Sequence, residues 1–137
     1  MATTLTFQRS HDYTARRDSG ITVPVTLTAG GSSVRLHAKL DTGASVCIFE
    51  RAYGEQLGLK VEDGRPIQVR TANSEFQVYG HDVTIACFDW QFDSFVFFAA
   101  TTEIQRNALG RQGWLHQFRV GLIEYDSVLY LSRYNQE

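Results

Sequence analysis

The residues of this 137-residue chain best suited to chemistry are Leu40-Asp41-Thr42-Gly43-Ala44-Ser45, an apolar strand end followed by Asp-Thr-Gly and a small residue. A carboxylate presented on such a turn can move protons as a general acid or base. The same tripeptide suits an ordinary turn, with Gly43 at positive φ and Thr42 capping, so both readings stand at this point. An isolated Asp-Thr-Gly is expected by chance in roughly a few per cent of chains this long, so its weight depends on the elements around it.

Other candidate chemistry is weak. His11, His37, His81 and His116 have no metal-ligand spacing and no acidic or cysteine partner at a usual offset, so no metal site is expected. Ser45 and Ser74 are the tempting nucleophiles, yet neither sits in a Gly-x-Ser-x-Gly pattern. Cys47 and Cys87 each lie inside an apolar stretch and read as free, buried thiols in a reducing compartment. A formal charge of -2 from nearly balanced acids and bases provides no nucleic-acid footprint. The aromatic cluster Phe92, Phe95, Phe97 and Phe98 therefore reads as core or interface, and Gly30-Gly31 as a turn and not a phosphate cradle. No apolar run has signal-peptide or membrane-spanning length, so a soluble, cytoplasmic protein is expected.

The elements that must position Asp41 follow from period-two alternation. Ile21, Val23, Val25 and Leu27 share one face of a strand, and Val34, Leu36, Ala38 and Leu40 share one face of the next. With the turn at 29–33 they form a β-hairpin that runs straight into Asp41. Residues 50–59 carry helix formers and end near Gly58, which predicts a short helix. Residues 66–70 and 76–80 flank the polar tip 71–75, a second hairpin in which Asn73 can take positive φ at low cost. Strands are expected over 81–88, 91–99, 119–123 and 128–131, with a short helix over 112–118 where Trp114, Leu115 and Phe118 fall at helical spacing. The fold class is mainly β, in one domain.

The order of these parts, a hairpin into Leu40-Asp41-Thr42-Gly43-Ala44, a polar-tipped hairpin some thirty residues later, then Ala108-Leu109-Gly110-Arg111 before a short helix, resembles the retropepsin family over about residues 21–131. The resemblance implies a closed β-barrel, half of the acid-protease fold, with one short C-terminal helix. It divides the chain into an N-terminal extension (1–20) that can supply an interface strand, a protease domain (21–131) and a tail (132–137). Only one Asp-Thr-Gly is present, so the resemblance implies a two-fold homodimer in which each subunit contributes Asp41 as catalytic carboxylate. Peptide or protein is the implied substrate, apolar at the cleavage site, and no cofactor is called for.

The same resemblance makes Thr42, Gly43 and Ala44 the support of the site. It makes Thr71, Ala72, Asn73 and Ser74 a flap over the substrate, Ala108 a pocket residue, and Leu109, Gly110 and Arg111 structural neighbours. The strands at 4–7 and 128–131 are expected at the subunit interface, the latter foremost. Three positions depart from the viral pattern: the hairpin tip is not glycine-rich, Ala108 replaces a larger aliphatic, and Ser45 stands where an acid often pairs with the later arginine. Arg111 must then find Asp12, Asp18 or an acid of the other subunit. Two functions remain open: an aspartic endopeptidase, or a dimerisation and peptide-binding module of the same fold with weak or no turnover.

Overall fold

In a computed structural model, which describes residues 1–136, ten strands form two sheets around one main core. The strands are β1 (Arg9–Asp12), β2 (Thr22–Ala29), β3 (Ser32–Leu40), β4 (Ile48–Phe49), β5 (Arg65–Arg70), β6 (Glu75–Cys87), β7 (Trp90–Ala99), β8 (Ala108–Leu109), β9 (Phe118–Ile123) and β10 (Val128–Arg133). Among the described residues one α-helix occurs, α1, at Arg51–Gln56. No helix among the described residues is long and apolar enough to cross a membrane.

Seven strands lie in the order β2-β3-β8-β4-β7-β6-β5. The thirteen-residue β6 shares one edge between two partners, β5 along Glu75–Gly80 and β2 at Thr84–Ala86, while its other edge carries β7. Hydrogen bonding therefore leaves β2 through β3 and returns to β2 through β6. Alternation dictates what faces inward: Val23, Val25, Leu27, Val34, Leu36, Ala38, Val83 and Ile85 are buried in one core with Phe49, Phe98, Leu109 and Trp114. A smaller cluster of Ile48, Val78 and Phe97 packs against Val46, Ile67, Val69 and Phe76, and so ties the base of the β5–β6 hairpin to the body.

Several expectations are corrected. The helix over 112–118 contracts to one 3-10 turn at Leu115–Gln117, because Trp114 is fully buried and its backbone (φ -137°, ψ -61°) is outside helical geometry. Asn73 is not among the positive-φ residues, which besides glycine are Phe88 and Ser127. The tip closes instead through Thr71, whose N–H donates to Ser74 O (2.8 Å) and whose Oγ1 accepts from Ser74 N–H (3.1 Å). The N-terminal strand falls at Arg9–Asp12 and not at 4–7, and it pairs antiparallel with β10. With β9 on the other side of β10, both edges of the C-terminal strand are taken within the chain.

Cys47 and Cys87 are unpaired and buried, and burial pushes each thiol up to about 12. Neither should react with a thiol reagent in the native state, and both should react in denaturant. Unfolded thiols ionise near pH 8.5 while the folded ones stay protonated, so the unfolded state binds fewer protons above that pH. Stability measured by denaturant titration is expected to fall as pH rises from about 8.5 toward 11, by at most about 1.4 kcal/mol per pH unit per thiol. Substituting either cysteine by alanine should flatten that slope.

Candidate active site

Asp41 begins where the β3 ladder ends. Lys39 and Leu40 pair in parallel with Ala108 and Leu109 of β8, and Asp41 N–H then donates to Leu109 O at 3.0 Å. The chain turns at once: Gly43 N–H donates to Asp41 Oδ1 (3.0 Å) and Ala44 N–H to Asp41 O (3.2 Å). These bonds orient the carboxylate from its own backbone, as an Asx-type turn does.

The segment after β8 is stitched to the far side of this turn. Arg111 N–H donates to Ala44 O and Gln112 N–H to Ser45 O, each at 2.9 Å, and Val46 and Gln112 form a parallel bridge. At the crossing a Cβ on Gly110 would lie 2.2 Å from Val46 O and 2.9 Å from Ala44 O, so no side chain fits there. Gly43 is less constrained, since a Cβ there would meet only the side-chain Oδ1 of Asp41, at 3.3 Å, and it takes no positive φ. Below the crossing Cys47 Sγ receives the Gly110 N–H at 3.4 Å, and the fully buried Trp114 fills the floor.

Two cavities meet at Asp41. One, of about 480 Å³, runs between residues 43–46 with Ile48 and the β5–β6 hairpin, where Ile67, Gln68, Val69, Arg70 and Thr71 form the wall. The other, of about 430 Å³, lies on the opposite flank against Thr22, His37, Lys39 and Ala108. Arg106 lines both, and its Nη2 lies 3.1 Å from Asp41 Oδ2; the two side chains are 31% and 35% exposed. Asn107 fixes the backbone next to it: its carbonyl accepts from Lys39 N–H (2.8 Å), and its side-chain oxygen from Glu50 N–H (3.0 Å).

The structure thus brings Asp41, Gly43, Ala44 and Thr71 to one cavity and Ala108 to the other. Thr42 is exposed beside Asp41, and Leu109 and Gly110 are buried under it. Ala72, Asn73 and Ser74 are exposed at the hairpin tip and line neither cavity. Arg111 forms no ion pair with Asp12, Asp18 or any other acid among the described residues. It faces a small hollow with Ser45, Gln112 and His116. Sequence reasoning missed Arg106, an isolated base in a polar loop with no periodicity to mark it. The cleft wall of Ile67 and Val69 was legible as the apolar face of a hairpin strand. No group of three or more potential metal ligands occurs among the described residues.

A family model described as aspartyl protease matches residues 23–115, which include both crossing loops. Among solved structures, the EIAV protease complexed with the inhibitor HBY-793 superposes with a TM-score of 0.51 at 20% sequence identity, covering 80% of this chain and 88% of that one. Likeness at that identity is likeness of fold. No curated protein matches the chain.

Gly110→Ala tests the crossing itself, because the added methyl meets backbone that cannot rotate away. The variant is expected to lose about 3 kcal/mol or more in denaturant unfolding, or to fail to fold, whereas Gly31→Ala, where a Cβ has open space, should lie within about 1 kcal/mol of wild type.

Proposed function

The chain belongs to the aspartyl protease family, of the retropepsin-like kind, and from that membership we propose that it is an endopeptidase whose working form is a homodimer sharing one Asp41 dyad. The observation that carries this reading is the placement of Asp41, held by its own turn at the junction of two cavities beneath a hairpin.

One carboxylate cannot both take a proton from water and hold one for the scissile carbonyl, whereas two close carboxylates sharing a single proton can. In the proposed reaction the ionised Asp41 takes a proton from water as the water oxygen adds to the carbonyl carbon. The protonated Asp41 of the other subunit gives its proton to the carbonyl oxygen, forming a tetrahedral diol without an acyl-enzyme. When the diol collapses, the first Asp41 gives its proton to the amide nitrogen as the C–N bond breaks and the other Asp41 takes a proton from a diol hydroxyl, so the dyad again holds one proton. The scheme calls for no metal or organic cofactor.

The supporting roles follow the same reading. Thr42 fixes the two Asp41 loops against each other across the dimer, while Gly43 and Ala44 allow their approach. The β5–β6 hairpin acts as the flap that closes over peptide and excludes water, with Thr71 to Ser74 at its tip. Ala108 widens the pocket, and Leu109, Gly110 and Arg111 hold the loop behind Asp41. We assign the protease domain to 21–131, with 1–20 as an N-terminal extension and 132–137 as a tail. The free thiols suit a reducing compartment such as the cytoplasm. Because β10 is flanked on both sides, the subunit contact is assigned to the outer edge of β9, where Leu122 and Ile123 are large, apolar and exposed.

One contact favours the second reading, a peptide-binding module with weak turnover: Arg106 holds Asp41 Oδ2, an oxygen the lytic water needs. Cleavage of a diverse peptide library from pH 4 to 7, by wild type beside Asp41→Asn and with dimerisation measured for both, separates the two. The expected result is cleavage with a maximum at mildly acidic pH, lost on dilution below the dimer constant and lowered on the order of 10³-fold in Asp41→Asn. No cleavage by a verified wild-type dimer would transfer the assignment to the binding module.

A further inference from the structure

The cavity on the β3 side of Asp41 has an uneven charge. Its wall includes Arg16, His37, Lys39 and Arg106, and Asp41 is its one acid. The whole chain carries a formal charge of -2, so this concentration of bases is local. Arg16 and Lys39 form no ion pair among the described residues, and only Arg106 is countered, by Asp41 itself.

Fold geometry keeps the bases together. Arg35, His37 and Lys39 occupy alternate positions of β3 and point away from the core, on the face opposite Val34, Leu36 and Ala38. The Lys39 stem crosses Gly20, where a Cβ would come within 2.7 Å of its Cε, so the methylenes are seated and the ammonium is carried past them. Arg16 sits in the 3-10 segment Thr14–Ser19 just before β2. The positive field is felt within the cluster: after burial of its ring, the charges of Arg16 and Arg35 hold His37 below its ordinary range.

The cavity across Asp41 is mixed: Val46, Ile48, Ile67 and Val69 give it an aliphatic patch, beside the polar Ser45, Gln68, Arg70 and Thr71. A peptide laid across Asp41 therefore meets a mixed pocket with an aliphatic patch on one flank, and on the other a pocket without aliphatic lining beyond Ala108, where bases predominate. Resting on the protease reading above, we infer that the substrate is an acidic peptide, with an Asp or Glu side chain close to the scissile bond seated among Arg106, Lys39 and Arg16. A two-fold dimer repeats both pockets, so acidic side chains are favoured on either side of the cut bond. Binding of the substrate carboxylate by Arg106 would also draw the guanidinium off Asp41 Oδ2 and free that oxygen for water, so the acid serves both recognition and activation.

The test uses matched peptide sets that differ only in Glu, Gln or Lys at the positions flanking the cleaved bond. Cleavage is measured as kcat/KM by wild type, Lys39→Glu and Arg16→Glu, with circular dichroism to verify the fold of each. Wild type is expected to prefer Glu over Lys peptides by about tenfold or more, with the preference shrinking as salt rises. Each charge reversal should reduce or invert the ratio while Gln peptides change far less. Equal kcat/KM for Glu and Lys peptides, or a ratio unmoved in both variants, would overturn the inference and leave the protease assignment standing. If wild type cleaves nothing, fluorescence anisotropy of the labelled peptides on the Asp41→Asn dimer decides instead. Tighter binding of Glu than Lys peptides would support the acidic specificity with catalysis refuted, and equal binding would reject it.

Discussion

The structure depends on one close approach. Residues 41–46 and 108–112 cross so tightly that the backbone of Gly110 occupies space next to Val46 O that any side chain would need. That contact lets Arg111 and Gln112 donate to Ala44 and Ser45, and lets Asp41 N–H reach Leu109 O. A carboxylate at the end of a strand would otherwise sit on a mobile turn. Here its backbone is hydrogen-bonded from two directions and its Oδ1 is occupied by Gly43 N–H, so Oδ2 is the oxygen aimed at the cavities. The buried Trp114 and Cys47 beneath explain why the crossing cannot sag, since both lie in the main core.

Electrostatics then decides what approaches Asp41. Arg106 neutralises the carboxylate within the chain, at a depth where both groups remain about one-third exposed and the pair is screened by solvent. An exchangeable ion pair of this kind can be displaced by a second carboxylate or by an anionic side chain, whereas a fully buried pair would strongly resist opening. The bases on β3 extend the same positive potential away from the site, while the hairpin side sets the aliphatic Ile67 and Val69 beside the polar Gln68, Arg70 and Thr71. Two flanks of different lining thus meet at one carboxylate.

The small sheet β1-β10-β9 shows how an added strand redistributes edges. β10 follows β9 through a tight 3-10 turn at Glu124–Asp126 and a left-handed Ser127, which returns the chain antiparallel onto β9. β1 covers its other side, so the C-terminal strand becomes the centre of the sheet and β9 an edge. Phe7 packs over Gly121 of β9 and stacks against Tyr130, which holds the N-terminal residues across this sheet.

Much of this was legible in order along the chain. The apolar alternation of β2 and β3 placed the first hairpin, and through it Asp41, because a half-buried strand must repeat every two residues. Leu40 to Ser45 and Ala108 to Arg111 were readable as two pieces of one site by their resemblance to a known order of parts. Their contact was not, because it rests on backbone groups sixty-odd positions apart whose hydrogen bonds leave no residue-type signature. Trp114, spaced as if on a helix, is buried beside Phe118 at 4.7 Å between ring centroids, and burying that bulk overrode the helical periodicity. Arg106 belongs wholly to tertiary structure: the parallel pairing of β3 and β8 lays the segment that precedes Ala108 along β3, and from there the long Arg106 side chain reaches Asp41. Strand period determined which residues face the core, while the crossing of distant loops decided which charges share the cleft.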